Sequence, residues 1–421
     1  MKDTLEQILN EKILEPEEDL KIIEQLVGIH SMNPFTPSNS SSRSYMLTSH
    51  FSQDISLLHG DTSIVQSGLE SQFSKNTFSA KAEEDVVVLR TITRYNGVTI
   101  NTVNAQTELL VIVADSNTGE IDYIDLPTHH TLHQYFGFEY KWNWDKLSEL
   151  TRGSLLRKGE VLAGPHTVGE NNAYKYGVNA NIALMSLPEV AEDSVVISKS
   201  LAEKLSYKIY ETRVINFGEN KYPLNVYGDV NNYKAFPEIG ELVRDDGILT
   251  VLRDIDDELS PALVTKNDVM TFNPIFDEAI YVKGPGEVKT IHGMEYKSGV
   301  VKDIKAIFNP KFKKDIYTGT ANDVVKYVNG YKKYHEDIIK AYEELKEEHR
   351  KLYKDSDLKI SEKFHRLLID AYAIVNPDNN KIAYSYRKDE CDLYRVEVTI
   401  EYTLKAIPGS KISDKAGSVL C

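Results

Sequence analysis

Apolar positions along this chain follow two periods that alternate in blocks. Residues 3–28 place Leu5, Ile8 and Leu9, then Leu20, Ile23 and Leu26, at helical spacing, with Pro16 between the groups and Gly28 after the second. That pattern predicts a short amphipathic hairpin. Strand-like runs follow at 85–89, 98–100 and 109–112, with turn signals at Asn96-Gly97 and 116–119. From 207 to 301 short strand-like runs alternate with Gly, Pro and Asn; 239–243 with 246–249, 279–283 and 299–307 are the clearest. Helical spacing returns over 320–353, where Val324, Val328, Tyr331, Tyr334, Ile338 and Tyr342 make one apolar stripe on a charged segment. Residues 360–373 predict the returning arm of a helical hairpin, and 394–404 (YRVEVTIEYTL) alternate as a strand.

The stretch 176–198, YGVNANIALMSLPEVAEDSVVIS, has an apolar run at 182–185, a break at Pro188 and β-branched residues at 195–197. It predicts two buried strands joined by a short turn, with Glu192-Asp193 at the mouth of the second. Adjacent carboxylates there are costly unless a cation faces them. From spacing alone, a solvated pair opening a strand is the plainer reading. The Pro-, Ser- and Asn-rich run PFTPSNSSSRS predicts a loop without regular structure. A short helix is expected at 200–205, and a turn entering a strand at 156–163.

Composition narrows the function classes. The 421 residues are 41% hydrophobic and 27% charged with a formal net charge of −15, which argues against a free-standing nucleic-acid binder. It leaves room for a subunit of a large complex that presents a few cations at one place. Cys391 and Cys421 are the only cysteines, so a disulfide framework and a Cys-based zinc site of the usual spacing are excluded. MKDTLEQILNEK lacks the apolar core of a secretory signal, and no run is long enough to cross a bilayer. His129-His130 lacks a third ligand at useful spacing, and the aromatic run FGFEYKWNW reads as core or interface rather than a base-stacking platform.

Several of these residues, taken in order, resemble segments of multisubunit RNA polymerase β subunits. Ser31, Pro34-Phe35, Arg43, Met46 and Gln53 resemble the flanks of the fork loop, with Ser-rich sequence in place of an acidic-and-Asn loop. Ser67-Gly68-Leu69-Glu70 resembles a Thr-Gly-Met-Glu turn. The run 156–163 with Gly164-Pro165 and Gly169-Glu170 resembles the strand that precedes the active-centre segment. Gly177, Asn179, Ala183, Met185, Glu192, Asp193 and Ser198 resemble a Gly-x-Asn-x-x-x-Ala-x-Met run leading into Glu-Asp and a strand, with a turn one residue shorter and no Trp or Gly-Tyr. Residues 239–249 resemble the base of a flap whose tip is reduced. Residues 408–417, Pro-Gly-Ser-Lys-Ile-Ser-Asp-Lys-Ala-Gly, resemble the family's Pro-Gly-Asp-Lys-Met-Ala-Gly-Arg-His-Gly-Asn-Lys-Gly. Lys411 falls on its first lysine, Lys415 on its Arg, and Val419 where the second lysine belongs.

The resemblance is to the N-terminal fragment of a split β subunit from a giant (jumbo) bacteriophage DNA-directed RNA polymerase. It implies a mixed α+β, largely β fold with part of a double-ψ β-barrel, a reduced flap and a helical-hairpin insertion. The implied divisions are 1–30, 31–135, 136–206, 207–310, 311–376 and 377–421. The implied chemistry is nucleotidyl transfer, with Lys411 at phosphates and Glu192 and Asp193 beside the second Mg²⁺ through water. The main Mg²⁺ ligands are expected on a β′-type partner chain. Lys415, Arg43, Gln53 and Glu70 fall on substrate or nucleic-acid contacts, and Lys141 stands in for a triphosphate-binding Arg that has no direct match. Partners implied are a C-terminal β fragment, β′-type fragments, a promoter-specificity subunit, DNA template, RNA product and nucleoside triphosphates, without a membrane. The location implied is the host cytoplasm, a phage compartment within it, or the virion. The second lysine is expected in trans, from a C-terminal β fragment whose first strand pairs beside 394–404. A non-catalytic virion or assembly protein with a polymerase-derived fold is the rival, favoured by Val419, the unmatched Arg and the acidic charge.

Overall fold

A computed structural model describes residues 28–75, 77–94, 108–133, 136–169, 172–185, 187–188, 190, 194–218, 220–229, 232–254, 277–282, 299–309, 322–353, 357–376 and 392–420. The predicted N-terminal hairpin, the strand at 98–100 and the Glu192-Asp193 pair lie outside these residues.

In chain order, helix Ser41–Phe51 and the short helix Glu70–Lys75 precede strands β1 (Ala80–Lys81), β2 (Val86–Thr93), β3 (Leu109–Asp115), β4 (Ile121–Leu126), β5 (His129–His133) and β6 (Phe136–Trp142). Helix Trp144–Glu149 leads to β7 (Leu155–Leu156) and β8 (Val161–Pro165). Helix Lys199–Lys204 leads to β9 (Tyr207–Phe217), β10 (Lys221–Pro223), β11 (Ile248–Asp254), β12 (Asp277–Tyr281) and β13 (Val300–Phe308). The helices Asn322–Leu352 and Glu362–Val375 form the expected hairpin, and β14 (Tyr394–Leu404), β15 (Ile412–Ser413) and β16 (Val419–Leu420) follow. The fold is mixed and largely β, and the named strands pair antiparallel.

The main sheet runs β1-β8-β6-β9-β14-β13, with β5 also on β6. β14 is an interior strand, flanked by β9 and β13, and its sequence alternates. Val396, Val398, Ile400 and Tyr402 point to one face and are buried with Ile215, Phe217, Ile304 and the small sheet β10-β11-β12. Each such side chain contributes roughly 1.5–3 kcal/mol by leaving water. The other face of β14 carries Arg395, Glu397, Thr399 and Glu401, which are met by polar groups: Thr399 by Thr212 at 3.0 Å, Glu401 by Lys208 at 3.0 Å.

β14 pairs with β9 in unbroken register from Tyr394↔Phe217 to Leu404↔Tyr207, and with β13 from Tyr394↔Phe308 to Glu401↔Val300. Both edges are therefore taken over most of its length. The expected partner strand beside 394–404 has no place there, and that expectation is corrected.

A second sheet, β4-β3-β2-β7, explains the unbroken apolar run LLVIVA in β3. Leu110 and Ile112 face the helical hairpin through Ile338, Phe364 and Leu368. Val111 and Val113 face Phe138, Tyr140 and Leu162 of the main sheet. Burial on both faces removes the alternation that a one-sided strand would show.

Three further expectations are corrected. The Ser-rich run is helical from Ser41, because the Ser40 hydroxyl accepts the Arg43 N–H and caps the first turn. The stretch 176–198 forms no strand among its described residues: Ile182, Leu184, Met185 and Val196 are exposed, Leu184 to 97%. Its apolar residues have strand composition, but no sheet edge among the described residues receives them. The 239–243 run is not a strand either; Ile239 and Val243 are buried from a turn, with one bridge, Leu242↔Val300. No helix among the described residues is long and apolar enough to cross a membrane.

Candidate functional site

Three segments meet beside helix Ser41–Phe51. The first is the loop after it. Asp61 N–H donates to the Gly177 carbonyl at 2.7 Å, and the Asp61 carboxylate accepts the Asn179 N–H at 3.0 Å. The Asn179 side chain completes the seam: its amide donates to the Thr62 carbonyl at 2.9 Å and accepts from Ile64 N–H at 3.3 Å. Gly60 is required here, since a Cβ on it would lie 2.9 Å from the Lys175 carbonyl. The Gly-x-Asn spacing thus has a local cause: Gly177 bridges and Asn179 reads the facing backbone in both directions.

The second segment is the turn into helix Glu70–Lys75. Glu70 is 4% exposed, and its carboxylate accepts N–H bonds from Ser67 at 2.8 Å and Gly68 at 2.9 Å. Gly68 takes φ +92°, a conformation that favours glycine. An aromatic wall joins these pieces: Phe51 lies edge-on to Tyr176 at 5.2 Å, Tyr176 stacks on Tyr174 at 5.5 Å, and Tyr174 meets Phe73 at 5.1 Å. Burial, with Glu70 nearby, pushes the Tyr176 phenol up to about 12.

The third segment is the C-terminal hairpin β15–β16. Asp414 accepts N–H bonds from Ala416 at 3.0 Å and Ser418 at 2.8 Å, which closes its turn. Gly417, at φ +89°, packs against the Arg43 carbonyl so tightly that a Cβ would come to 2.5 Å. The Arg43 guanidinium donates to the Gly417 carbonyl at 3.3 Å, and Asn39 donates to the Ala416 carbonyl at 2.9 Å across 377 positions of sequence.

Sequence candidates divide on this geometry. Arg43, Glu70, Lys411 and Lys415 are brought together. Lys411 is exposed and its ammonium makes no hydrogen bond or ion pair among the described residues. It stands near His50, whose imidazole is lowered first by burial and then by the Lys411 charge, against Asp414. Lys415 is turned inward instead: its ammonium donates to the Ser63 hydroxyl and to the Val65 carbonyl at 2.8 Å. Gln53 is exposed just past the helix, its N–H bonded to the His50 carbonyl at 2.9 Å. Lys141 stands apart on β6, opposite Gly164, away from Arg43, Glu70, Lys411 and Lys415. His129 and His130 belong to β5, with His129 against the Thr128 hydroxyl at 3.0 Å and stacked on Tyr210.

The carboxylates of this cluster do not suit a metal ion. Glu70, Asp61 and Asp414 are each committed to backbone donors, and among the described residues no group of three or more His, Cys, Asp or Glu is placed to hold one. His50, Ser63 and Tyr176 belong to the cluster without having stood out in the sequence. The helical spacing of Leu47 and Phe51 behind the Ser40 cap was the available signal for His50. No protein-family profile matches this chain, and no curated protein matches it.

Proposed function

We propose that the chain is a subunit of a multisubunit DNA-dependent RNA polymerase, the N-terminal fragment of a split β subunit, and that it lends cationic contacts to nucleotidyl transfer. The observation that carries the reading is convergence. The fork-loop-like Arg43, the turn at Glu70, the Gly177/Asn179 run and the Lys411 loop each resemble a β-subunit segment, and these distant segments stand around one another. Their joint placement is what supports the reading.

In this reaction the RNA 3′-OH attacks the α-phosphorus of a nucleoside triphosphate, the bond to the bridging oxygen breaks, and pyrophosphate leaves. Catalysis of this kind is largely positioning and charge neutralisation. Lys411 suits it because its ammonium is exposed and, among the described residues, uncommitted. The committed carboxylates leave the divalent ions of such a reaction to a partner chain. Glu192 and Asp193 keep the role that the resemblance gives them as part of this proposal, and no role is assigned to Lys141.

Val419, where the family has a lysine, favours the rival reading of a non-catalytic virion or assembly protein. Co-expression separates the two. The polymerase reading expects the chain to be inactive alone and to support template-dependent RNA synthesis when joined by β′-type and C-terminal β fragments. RNA synthesis by the chain alone, or co-purification with capsid or tail proteins only, overturns it.

A further inference from the structure

Lys411 and Lys415 lie four positions apart and differ in what their ammonium groups can still do. An ammonium has three N–H donors and no acceptor. At Lys415 the Ser63 hydroxyl takes one donor and the Val65 carbonyl a second at 2.8 Å. The ring of Tyr176 covers the group at 4.8 Å, a distance suited to a cation–π contact. Glu70, buried behind the same seat, is the carboxylate whose charge faces it. Two donors are spent and the remaining face is screened, so little of this ammonium is left for a phosphate oxygen. The surrounding turn is held from the opposite side as well, by Arg43 on the Gly417 carbonyl and Asn39 on the Ala416 carbonyl.

We propose that Lys415 is a positioning residue: it fastens the β15–β16 hairpin to the loop 61–66 and so fixes where the Lys411 ammonium stands. The fastening is a property of this chain alone; only its consequence for RNA extension rests on the polymerase reading. Lys415 ties its hairpin to two remote segments, through Ser63 and Val65 in one and Tyr176 in the other, which is what a fastening requires and what a substrate ligand does not.

Lysine footprinting of the folded full chain tests the fastening without any assay of activity. An amine-acylating reagent followed by peptide mass spectrometry should modify Lys411 at the rate of a solvated lysine and Lys415 at least about tenfold more slowly, since its ammonium reacts only after local opening. Lys415→Met should then speed hydrogen exchange over 61–66 and 412–420, with Lys415→Arg restoring part of the protection. Equal labelling of the two lysines, or unchanged exchange in Lys415→Met, overturns the fastening whatever the chain does. In an assembled, active polymerase, Lys415→Met should lower kcat by up to about 10²-fold through displacement of Lys411, with the nucleotide KM unchanged. A raised KM at unchanged kcat would make Lys415 a substrate ligand and overturn the positioning role. If the wild-type assembly makes no RNA while footprinting separates the two lysines, the polymerase reading falls and the fastening stands.

Discussion

The Arg94 guanidinium meets the Asp303 carboxylate at 2.7 Å where both residues are nearly sealed from water. Arg94 directly follows β2 of the second sheet and Asp303 lies in β13 of the main sheet, so the pair ties the two together. Glu108 and Lys305, 3.0 Å apart, stand beside it. Burial pushes the Glu108 carboxyl up, but Arg94 and Lys305 hold it below its ordinary range. Removing one member strands a charge: Asp303→Ala should cost about 3–5 kcal/mol in denaturant unfolding. The double change Arg94→Met with Asp303→Leu should cost markedly less, and an equal cost for the two would show that packing, not charge, dominates the junction.

His335 offers the opposite case. It sits in helix Asn322–Leu352, edge-on to Tyr331 and Tyr334, with neither ring nitrogen hydrogen-bonded among the described residues. Burial pulls its imidazole down to about 4 from an ordinary 6.5. The unfolded chain therefore binds a proton that the folded chain refuses. This contribution is present above pH 6.5 and is lost as pH falls towards 4, by about 3 kcal/mol in all. His335→Leu should raise stability at pH 7 and flatten that acid slope. A slope unchanged between wild type and variant would mean that the loss arises elsewhere.

Gly417→Ala tests the seat of the C-terminal hairpin. The substitution is strained at φ +89° and drives a methyl group into the Arg43 carbonyl. A local cost of about 1–3 kcal/mol is expected, read as faster hydrogen exchange in 412–420 and in helix Ser41–Phe51. Because the strain is local, the main sheet should keep its protection.

On the proposed polymerase reading, Lys411→Ala should slow RNA extension by the assembled complex by about 10²–10³-fold, the usual effect of removing one preorganised contact to developing charge. Its exposed side chain supports no packing, so assembly and thermal stability should be unaltered. Full-speed extension by an assembled variant would remove Lys411 from the site.

What could be read from sequence divides along physical lines. β14 and the long helix were legible because one face of each is apolar and buried and the other polar, which writes their period into the residues. The run 182–185 failed because an apolar strand pattern states a need for a partner without saying whether this chain supplies one. Helix Ser41–Phe51 was hidden by a first turn of Ser residues, where capping outweighs composition. Within the candidate site, Arg43, Glu70, Gly177 and Asn179 were findable through their motifs. Their mutual contacts were not, and neither was the inward turn of Lys415, which depends on a seat built by Ser63, Val65 and Tyr176 from remote segments.

The position of β14 between β9 and β13 also sets an order of events during synthesis. Both neighbours leave the ribosome well before β14 does, and β14 is the strand that joins them. Until then β9 and β13 each present an open edge, and Ile215, Phe217 and Ile304 lack the side chains that cover them. Unpaired edges beside bare apolar faces are where nascent chains associate wrongly. The helical hairpin, whose contacts are local, forms within that interval and covers the second sheet, leaving the main sheet as the late and vulnerable step.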